Sequence, residues 1–495
     1  MKGISALRTL LAPGLLALAF TSICTAQSPK IAAMGKAYWR QAAVSDVEAA
    51  FRMLRDDHPG AAPQLGDDAF RRTLASAHEL AMVRAKTVSS FAGYSAALAG
   101  FANAFGDKHL RSRPTLEVSR PDWAGIILVK RGTHWMVFDT EDGAPEAALI
   151  GAELVSCDGR TPEDWGRELM GGFRADWSSD AQKIQTAPWL LLSESNPFVG
   201  RPQSCTFSGK GEQRSWTLQW RAIKRADLDV RLQKASPFGA AGFGVRQVGA
   251  GYWIALQSLL NSAVPVVEAV KARAEDLRKA PFIVLDMRGN GGGSSIFGNQ
   301  IAEQILGEPY VSAIIGDDST CGGDTFRATP GNIRTFQGYI DTGFPTHDPQ
   351  VVGFLKKAVA DMRAAQAAGR SFTGPLSCPT RRVPLPNPEF SGKLYVLTDG
   401  LCFSSCLAVV DEWLKFGAVQ LGQSTDSNTY FTDVRDTPLP SGLSTFSTMM
   451  AINVGGEPRL GPFVPTRSYD GDISDTPRVE AWAASIASEA EPSAR

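Results

Sequence analysis

Two short segments decide the fold of this chain, because each is an apolar strand that ends in a tight turn. Residues 282–295 read FIVLDMRGNGGGSS, and residues 394–405 read LYVLTDGLCFSS before a helix-like run from 407 to 415. Both segments place polar residues at the carboxyl end of a buried strand, where open α/β sheets carry their sites. The first turn is rich in glycine, and the second has Ser404 at the start of a helix.

Strands and helices alternate on both sides of these segments. The apolar pattern predicts strands at 252–256 and 418–421 and helices at 264–277 and 296–306. Such alternation is typical of a largely parallel sheet, so the fold class is α/β. A Gly/Pro-rich insertion at about 307–392 separates the two segments, and we predict one helix in it, over 350–367.

The residues before this α/β part divide into two further regions. A helical pattern covers 32–114, and short strand patterns fill 115–225. A chain of 495 residues is too long for one compact core. Its hydrophobic content of 43% and charged content of 20% are those of an ordinary globular protein.

The net charge of -1 and the lack of any basic run argue against nucleic acid or an anionic membrane as a partner. The N-terminus reads as a cleaved signal peptide over 1–26, with a positive start, an apolar run at 10–20 and small residues before Gln27. A membrane anchor is the alternative, but the apolar run is short for a bilayer span. We therefore expect a periplasmic or secreted protein without an integral membrane segment.

Six cysteines follow the signal peptide, and an even number in an exported chain predicts disulfides. Their neighbourhood in the sequence favours Cys157 with Cys205 and Cys321 with Cys378, while Cys402 and Cys406 are either bridged or simply buried. No CxxC motif occurs and the five histidines are scattered, so we expect neither a zinc site nor another metal or cofactor.

The glycine loop, residues 289–293, has three interpretations. It could cradle a phosphate, but it has neither the GxGxxG nor the GK[ST] pattern. It could be a plain loop that needs positive φ angles. The third interpretation is an oxyanion hole, because a carbonyl oxygen that becomes negative needs two N–H donors and glycines let a substrate come close.

Ser404 also has two interpretations. A serine at a helix N-terminus is commonly only a cap. Here it follows a buried strand in the same domain as the glycine loop, so it is a candidate nucleophile, and the Ser405 N–H is a candidate oxyanion donor. A serine nucleophile needs a base. Among the histidines, His109 in the turn 106–110 is the candidate, because His58 precedes a proline at a helix end and His78 is mid-helix.

These residues together resemble the C-terminal-processing and tricorn-core serine peptidases. Residues 285–293 are similar to the family's "DxRxNxGG" signature, and 398–405 followed by 421–425 are similar to its nucleophile strand, serine, helix and "GxxT". The "HP" at His58 resembles the N-terminal helical segment, and 106–109 resembles the "DxH" of the tricorn-like branch. Residues 143–159 resemble half of a PDZ-like module.

The resemblance implies a crotonase-like (ClpP-like) catalytic domain at 235–485, an N-terminal helical region at 32–114 and a PDZ-like β-rich module at 115–225. It implies that Ser404 is the nucleophile, His109 the base, and Ser405 with Gly291 or Gly292 the oxyanion hole. The lysine that the processing branch carries after "GxxT" is absent, and Lys108 replaces the serine before the histidine in the tricorn-like branch. Glu457 and Asp107 are the two candidates for the acid.

The expected function is therefore that of an exported serine endopeptidase acting on a protein or peptide, with its oligomeric state left open. The alternative is a catalytically degenerate peptide-binding protein on the same scaffold. Everything depends on whether His109 and Ser404, far apart in the sequence, meet in space.

Overall fold

A computed structural model describes residues 34–116, 120–236, 241–315, 323–343, 349–377, 384–454 and 460–489 of the chain. The predicted signal peptide, Cys321, Cys378 and Glu457 lie outside these ranges. Within them, no helix combines the length and apolar character that crossing a bilayer requires.

The N-terminal region is helical, as predicted. It contains α1 (Lys36–Asp57), α2 (Asp68–Ala85) and α3 (Phe91–Asn103). Asp67 and Ser90 cap α2 and α3 by accepting hydrogen bonds from backbone N–H groups of the first turn. The buried faces of the three helices share a core with strand residues near the C-terminus, Phe446 among them. The helical region therefore shares its hydrophobic core with strands near the C-terminus.

The next region is β-rich. The short strand β1 (Ser112–Pro114) precedes it and pairs antiparallel with residues 444–446. The strands of the β-rich region are β2 (Asp122–Trp123), β3 (Ile126–Arg131), β4 (His134–Thr140), β5 (Glu153–Cys157), β6 (Leu192–Ser193), β7 (Ser204–Gly209), β8 (Glu212–Thr217) and β9 (Arg221–Ala222). Its helices are α4 (Pro162–Gly166), α5 (Asp180–Thr186) and α6 (Arg225–Lys234). An antiparallel sheet has the order β3-β4-β5-β7-β8. A disulfide between Cys157 and Cys205 joins β5 to β7, which confirms the predicted pairing.

The third region holds the central sheet. Its strands are β10 (Phe243–Val248), β11 (Gly251–Leu256), β12 (Phe282–Asp286), β13 (Gly323–Phe326), β14 (Lys393–Thr398), β15 (Val419–Gly422), β16 (Phe431–Pro438), β17 (Ser444–Val454) and β18 (Arg467–Ser468). The central sheet has the order β10-β11-β12-β14-β15-β18, and all its pairs are parallel except β10 with β11. Because β12 and β14 are neighbours, the glycine loop and the serine turn at their carboxyl ends lie side by side.

Helices cover the central sheet and fill the insertion. They are α7 (Val264–Lys271), α8 (Ala274–Lys279), α9 (Ile296–Leu306), α10 (Glu308–Ile315), α11 (Pro330–Thr342), α12 (Pro349–Ala367), α13 (Ser405–Lys415) and α14 (Thr476–Ser488). Alternate residues of β12 pack on opposite sides, with Ile283 in one core and Val284 in the other. The buried strand is therefore apolar throughout, as parallel strands covered on both faces are.

Two predictions about helices were wrong. The helix predicted over 264–277 is two helices, α7 and α8, interrupted at 272–273. The insertion contains α10, α11 and β13 besides the predicted helix. The Gly/Pro-rich composition of the insertion did not exclude these elements: Pro330 occupies the first turn of α11 behind the Thr329 cap, where a proline does not disturb a helix.

Candidate active site

Ser404 sits on a sharp turn between β14 and α13. Its backbone has φ 58° and ψ -131°, a left-handed conformation that costs a residue with a side chain about 1–3 kcal/mol. The turn is held by hydrogen bonds from Leu407 N–H to Ser404 O and from Cys406 N–H to Phe403 O. A disulfide between Cys402 and Cys406 brackets it, so of the two alternatives the bridged one holds. The hydroxyl is thus presented at the end of the strand.

The structure brings His109 to Ser404 across 295 positions of sequence. His109 Nε2 lies 3.2 Å from Ser404 Oγ, and Nδ1 lies 2.8 Å from Asp107 Oδ1. The His109 backbone N–H also donates to Asp107 Oδ1, at 2.8 Å, and the Thr429 hydroxyl donates to Oδ2 at 2.5 Å. Serine, imidazole and carboxylate form one hydrogen-bonded relay, which is the arrangement that activates a hydroxyl.

Asp107 keeps its negative charge although its side chain is buried. Burial alone raises the pKa of a carboxyl group. The interaction with His109 and the hydrogen bonds from His109 and Thr429 outweigh it and lower the pKa of Asp107 to about 2. The carboxylate is therefore ionised at neutral pH, and it can hold a proton on His109 Nδ1 so that Nε2 faces Ser404 as an acceptor.

The glycine loop lies directly against the serine turn. Gly292 has φ +102°, and a Cβ added to it would be 2.8 Å from Ser404 Cβ. Its N–H group donates to Asn290 Oδ1 at 2.9 Å, so Gly292 is not the open donor that the sequence offered beside Gly291. Gly291 is exposed, and a Cβ there would meet no atom within 4 Å. Gly291 and Ser405 therefore remain the candidate donors for an oxyanion.

The Asp and Arg of the glycine-loop signature form a buried anchor beneath the loop. Asp286 and Arg288 are both fully buried and joined by two hydrogen bonds, of 2.9 and 2.7 Å. Arg288 also donates to Ile473 O and Thr476 Oγ1, and Trp253 Nε1 donates to Asp286. Each charge is paired and hydrogen-bonded, as burial requires. The pair fixes the loop and does not face the reaction site.

Asp399 ties the two turns together. Its carboxylate accepts hydrogen bonds from the backbone N–H groups of Gly289, at 2.8 Å, and Leu401, at 2.9 Å. Burial raises the pKa of Asp399 to about 7, because these two bonds compensate only part of the lost hydration. In the folded protein Asp399 is therefore half protonated near neutral pH.

This raised pKa predicts that stability falls as the pH rises. Between the unfolded pKa near 3.8 and the folded pKa near 7, the folded state binds more protons, so the free energy of unfolding decreases with pH. Asp399→Asn keeps the acceptor without the charge and should remove up to about 4 kcal/mol of this dependence. Denaturation curves from pH 4.5 to 8 measure it, with the exposed Asp142→Asn as control. An unchanged pH dependence in Asp399→Asn would contradict the assignment.

Lys108, which departs from the tricorn-like pattern, does not point to the nucleophile. Its Nζ donates to Asp426 Oδ2 at 2.8 Å and to Gln185 Oε1 at 3.0 Å. It also lies 4.6 Å from the centre of the Phe403 ring, whose other neighbour is the His109 ring at 4.6 Å. Lys108 thus links the histidine segment to the serine turn through Phe403 and Asp426.

Asp426 was not identified from the sequence, although it is the centre of the polar contacts around the site. It is fully buried and accepts hydrogen bonds from Gln182, at 3.0 Å, Ser179, at 3.3 Å, and the Ser427 N–H, at 2.9 Å. Gln182 belongs to α5 and Ser179 caps it, so the β-rich region is tied to Asp426, whose backbone N–H donates to Cys402 O in the serine turn. The Gln185 amide, also on α5, reaches Gly400 O at 2.6 Å.

Lys415 and His58 lie apart from this arrangement. Lys415 pairs with Asp411 on the surface of α13. His58 is stacked against Phe70 in the helical core, where burial lowers its pKa to about 3. The described ranges contain no group of three His, Cys, Asp or Glu side chains suited to a metal ion.

Comparison with known proteins places this fold. No family profile matches the sequence, and no curated protein does either. Among solved structures, mature CPAF matches with a TM-score of 0.57 and 14% identity, over 91% of this chain and 98% of that one. CPAF complexed with lactacystin gives 0.56 and 13%, over 91% and 99%. The tricorn protease also matches, with a TM-score of 0.36 and 10% identity over 91% of this chain and 37% of that one. At this level of identity the match with CPAF shows the fold alone, so this chain has the fold of CPAF.

Proposed function

We propose that the chain is an exported serine endopeptidase in which Ser404 is the nucleophile, His109 the general base and Asp107 the acid that orients the base. One observation carries the proposal: the relay from Ser404 Oγ to His109 Nε2, at 3.2 Å, and from His109 Nδ1 to Asp107 Oδ1, at 2.8 Å. These are the distances that proton transfer requires.

The reaction begins with attack of Ser404 Oγ on a peptide carbonyl carbon. His109 Nε2 takes the hydroxyl proton, and ionised Asp107 stabilises the imidazolium that forms. The carbonyl oxygen becomes an oxyanion and accepts hydrogen bonds from the N–H groups of Gly291 and Ser405, at the helix N-terminus. His109 then gives its proton to the leaving amine, and water releases the acyl group from Ser404 by the same steps.

The three regions take the roles that the resemblance implies. Residues 235–485 are the crotonase-like catalytic domain, and 115–225 are a PDZ-like module that presents a protein or peptide chain to it. The bonds from α5 to Asp426 and Gly400 support a module that is fixed against the catalytic turn. The helical region at 32–114 ends in the turn that carries Asp107 and His109.

Export to the periplasm or the medium is part of the same proposal. The disulfides Cys157–Cys205 and Cys402–Cys406 support it, because such bonds persist mainly in oxidising compartments. The signal-like segment over 1–26 supports it independently.

Labelling with a fluorophosphonate tests the proposal without any knowledge of the substrate. An activated serine should be labelled at one site per chain, and Ser404→Ala should abolish the label. Ser405→Ala is the matched control, because it keeps the backbone N–H and should still be labelled. An unlabelled wild-type chain would favour the alternative of a peptide-binding protein without turnover.

A further inference from the structure

A cavity of about 510 Å³ lies beside the segment that carries His109. One wall is the outer face of α3, with the small side chains of Ser95 and Ala99. The β-rich region supplies the opposite wall, which includes Trp165 and Trp220. Asp107 and Lys108 also line the cavity, so the cavity borders the hydrogen-bonded relay of Asp107, His109 and Ser404. Its volume lies in the range of ligand-binding sites, about 300–1,000 Å³.

Cations outnumber carboxylates among the residues that line the cavity. Three carboxylates line it, those of Asp107, Asp176 and Glu194, against five cations: Lys108, Arg111, Arg174, Arg201 and Arg225. Four of the cations are already paired with a carboxylate, namely Lys108 with Asp426, Arg174 and Arg225 with Glu194, and Arg201 with Asp122. An incoming anion therefore gains little from these four.

Arg111 differs from the other cations of the cavity. Among the described residues its guanidinium makes no ion pair and no hydrogen bond, and the nearby carboxylate of Asp436, which raises the pKa of Arg111, is paired with Arg113. Arg111 is exposed to solvent at the cavity surface. Desolvation by the surrounding protein and the charge of Arg113 lower its pKa while Asp436 raises it, and an arginine stays charged at neutral pH. A guanidinium left unpaired in a cavity with aromatic walls is suited to bind a carboxylate in a bidentate manner.

We propose that this cavity binds an acidic segment of the peptide substrate, with a carboxylate on Arg111 and apolar side chains against Trp165 and Trp220. The inference rests on the proposed function for the identity of the ligand as a peptide. A chain held here runs beside residues 107–109 and is thereby kept next to the nucleophile. The carboxylate belongs either to an Asp or Glu side chain or to the end of a chain, and both offer the same chemistry.

Peptide binding to the inactive Ser404→Ala protein tests the inference. The probes are fluorescent peptides with aromatic residues, made in pairs: internal Glu against Gln, and a free C-terminal carboxylate against an amide. Fluorescence anisotropy should show at least about tenfold tighter binding of one acidic probe, as a charge-assisted pair provides. The pair that shows the preference identifies the source of the carboxylate.

Arg111→Gln in the Ser404→Ala background should abolish this preference, and Arg111→Lys should keep part of it. Arg214→Gln, on the exposed face of β8 and outside the cavity wall, is the matched control and should keep all of it. Ala99→Trp, which fills the cavity, should weaken both members of each pair. A preference that survives Arg111→Gln, or no acidic preference at all, overturns the inference. Because binding needs no turnover, this result is independent of fluorophosphonate labelling.

Discussion

Asp107→Asn is expected to lower kcat by about 10⁴-fold, the effect of losing the acid that orients a catalytic histidine. Asparagine keeps the shape of the side chain but cannot hold the proton on His109 Nδ1, and it leaves the imidazolium of the transition state without its counter-charge. The hydrogen bonds at 2.8 Å from His109 to Asp107 would be replaced by weaker ones. Hydrolysis of an unfolded protein or a fluorogenic peptide, followed at saturating substrate, measures the effect.

Glu457→Gln is the control, because Glu457 was the other candidate for the acid. If Asp107 orients His109, Glu457→Gln should change kcat by less than about threefold, because Glu457 then takes no part in the proton relay. The reverse pattern, a large loss of kcat in Glu457→Gln with an active Asp107→Asn, would show that Glu457 is the acid that orients His109. Fluorophosphonate labelling rates of the two variants should follow the same order, since they report only the activation of Ser404.

The strands and turns of the site could be predicted because their sequence signals are local. A fully apolar run such as that of β12, followed by glycines or by a serine and an amphipathic helix, has few alternatives in an α/β protein. This pattern made Ser404 a candidate nucleophile, and the resemblance to the peptidase family implied that His109 is the base. The position of Gly291 and Gly292 next to the serine turn followed from the adjacency of parallel strands.

The polar residues that support the relay could not be predicted in this way. Thr429 donates to Asp107 from 322 positions away, and Asp426 receives Lys108 from 318 positions away. Neither has a distinctive sequence context, since a threonine or an aspartate in a loop is ordinarily a turn residue. The choice between Asp107 and Glu457 depends in the same way on a distance that no pattern encodes. Such contacts are set by how the helical and β-rich regions pack on the central sheet.

Gly291 and Gly292 differ sharply in the space around them, so alanine substitutions at the two positions test the role of the glycine loop. Gly292→Ala should lower kcat by about 10²–10³-fold, the loss expected when displacement of the loop takes the neighbouring Gly291 N–H away from the oxyanion. The new Cβ would lie 2.8 Å from Ser404 Cβ and 2.9 Å from Phe403 O, and the φ of +102° disfavours any side chain. Either the loop or the serine turn must shift, and both carry groups that must meet the substrate carbonyl.

Gly291→Ala is the matched control one residue away. Its Cβ would enter open space, its φ is not in the left-handed region, and the substitution keeps the N–H proposed as oxyanion donor. We expect kcat within about twofold of the wild-type value and an unchanged melting temperature. Steady-state kinetics give kcat, and thermal melts give the melting temperature, of both variants. Equal losses in the two variants would mean that the loop acts through its flexibility. A loss confined to Gly292→Ala would mean that it acts through its close contact with Ser404.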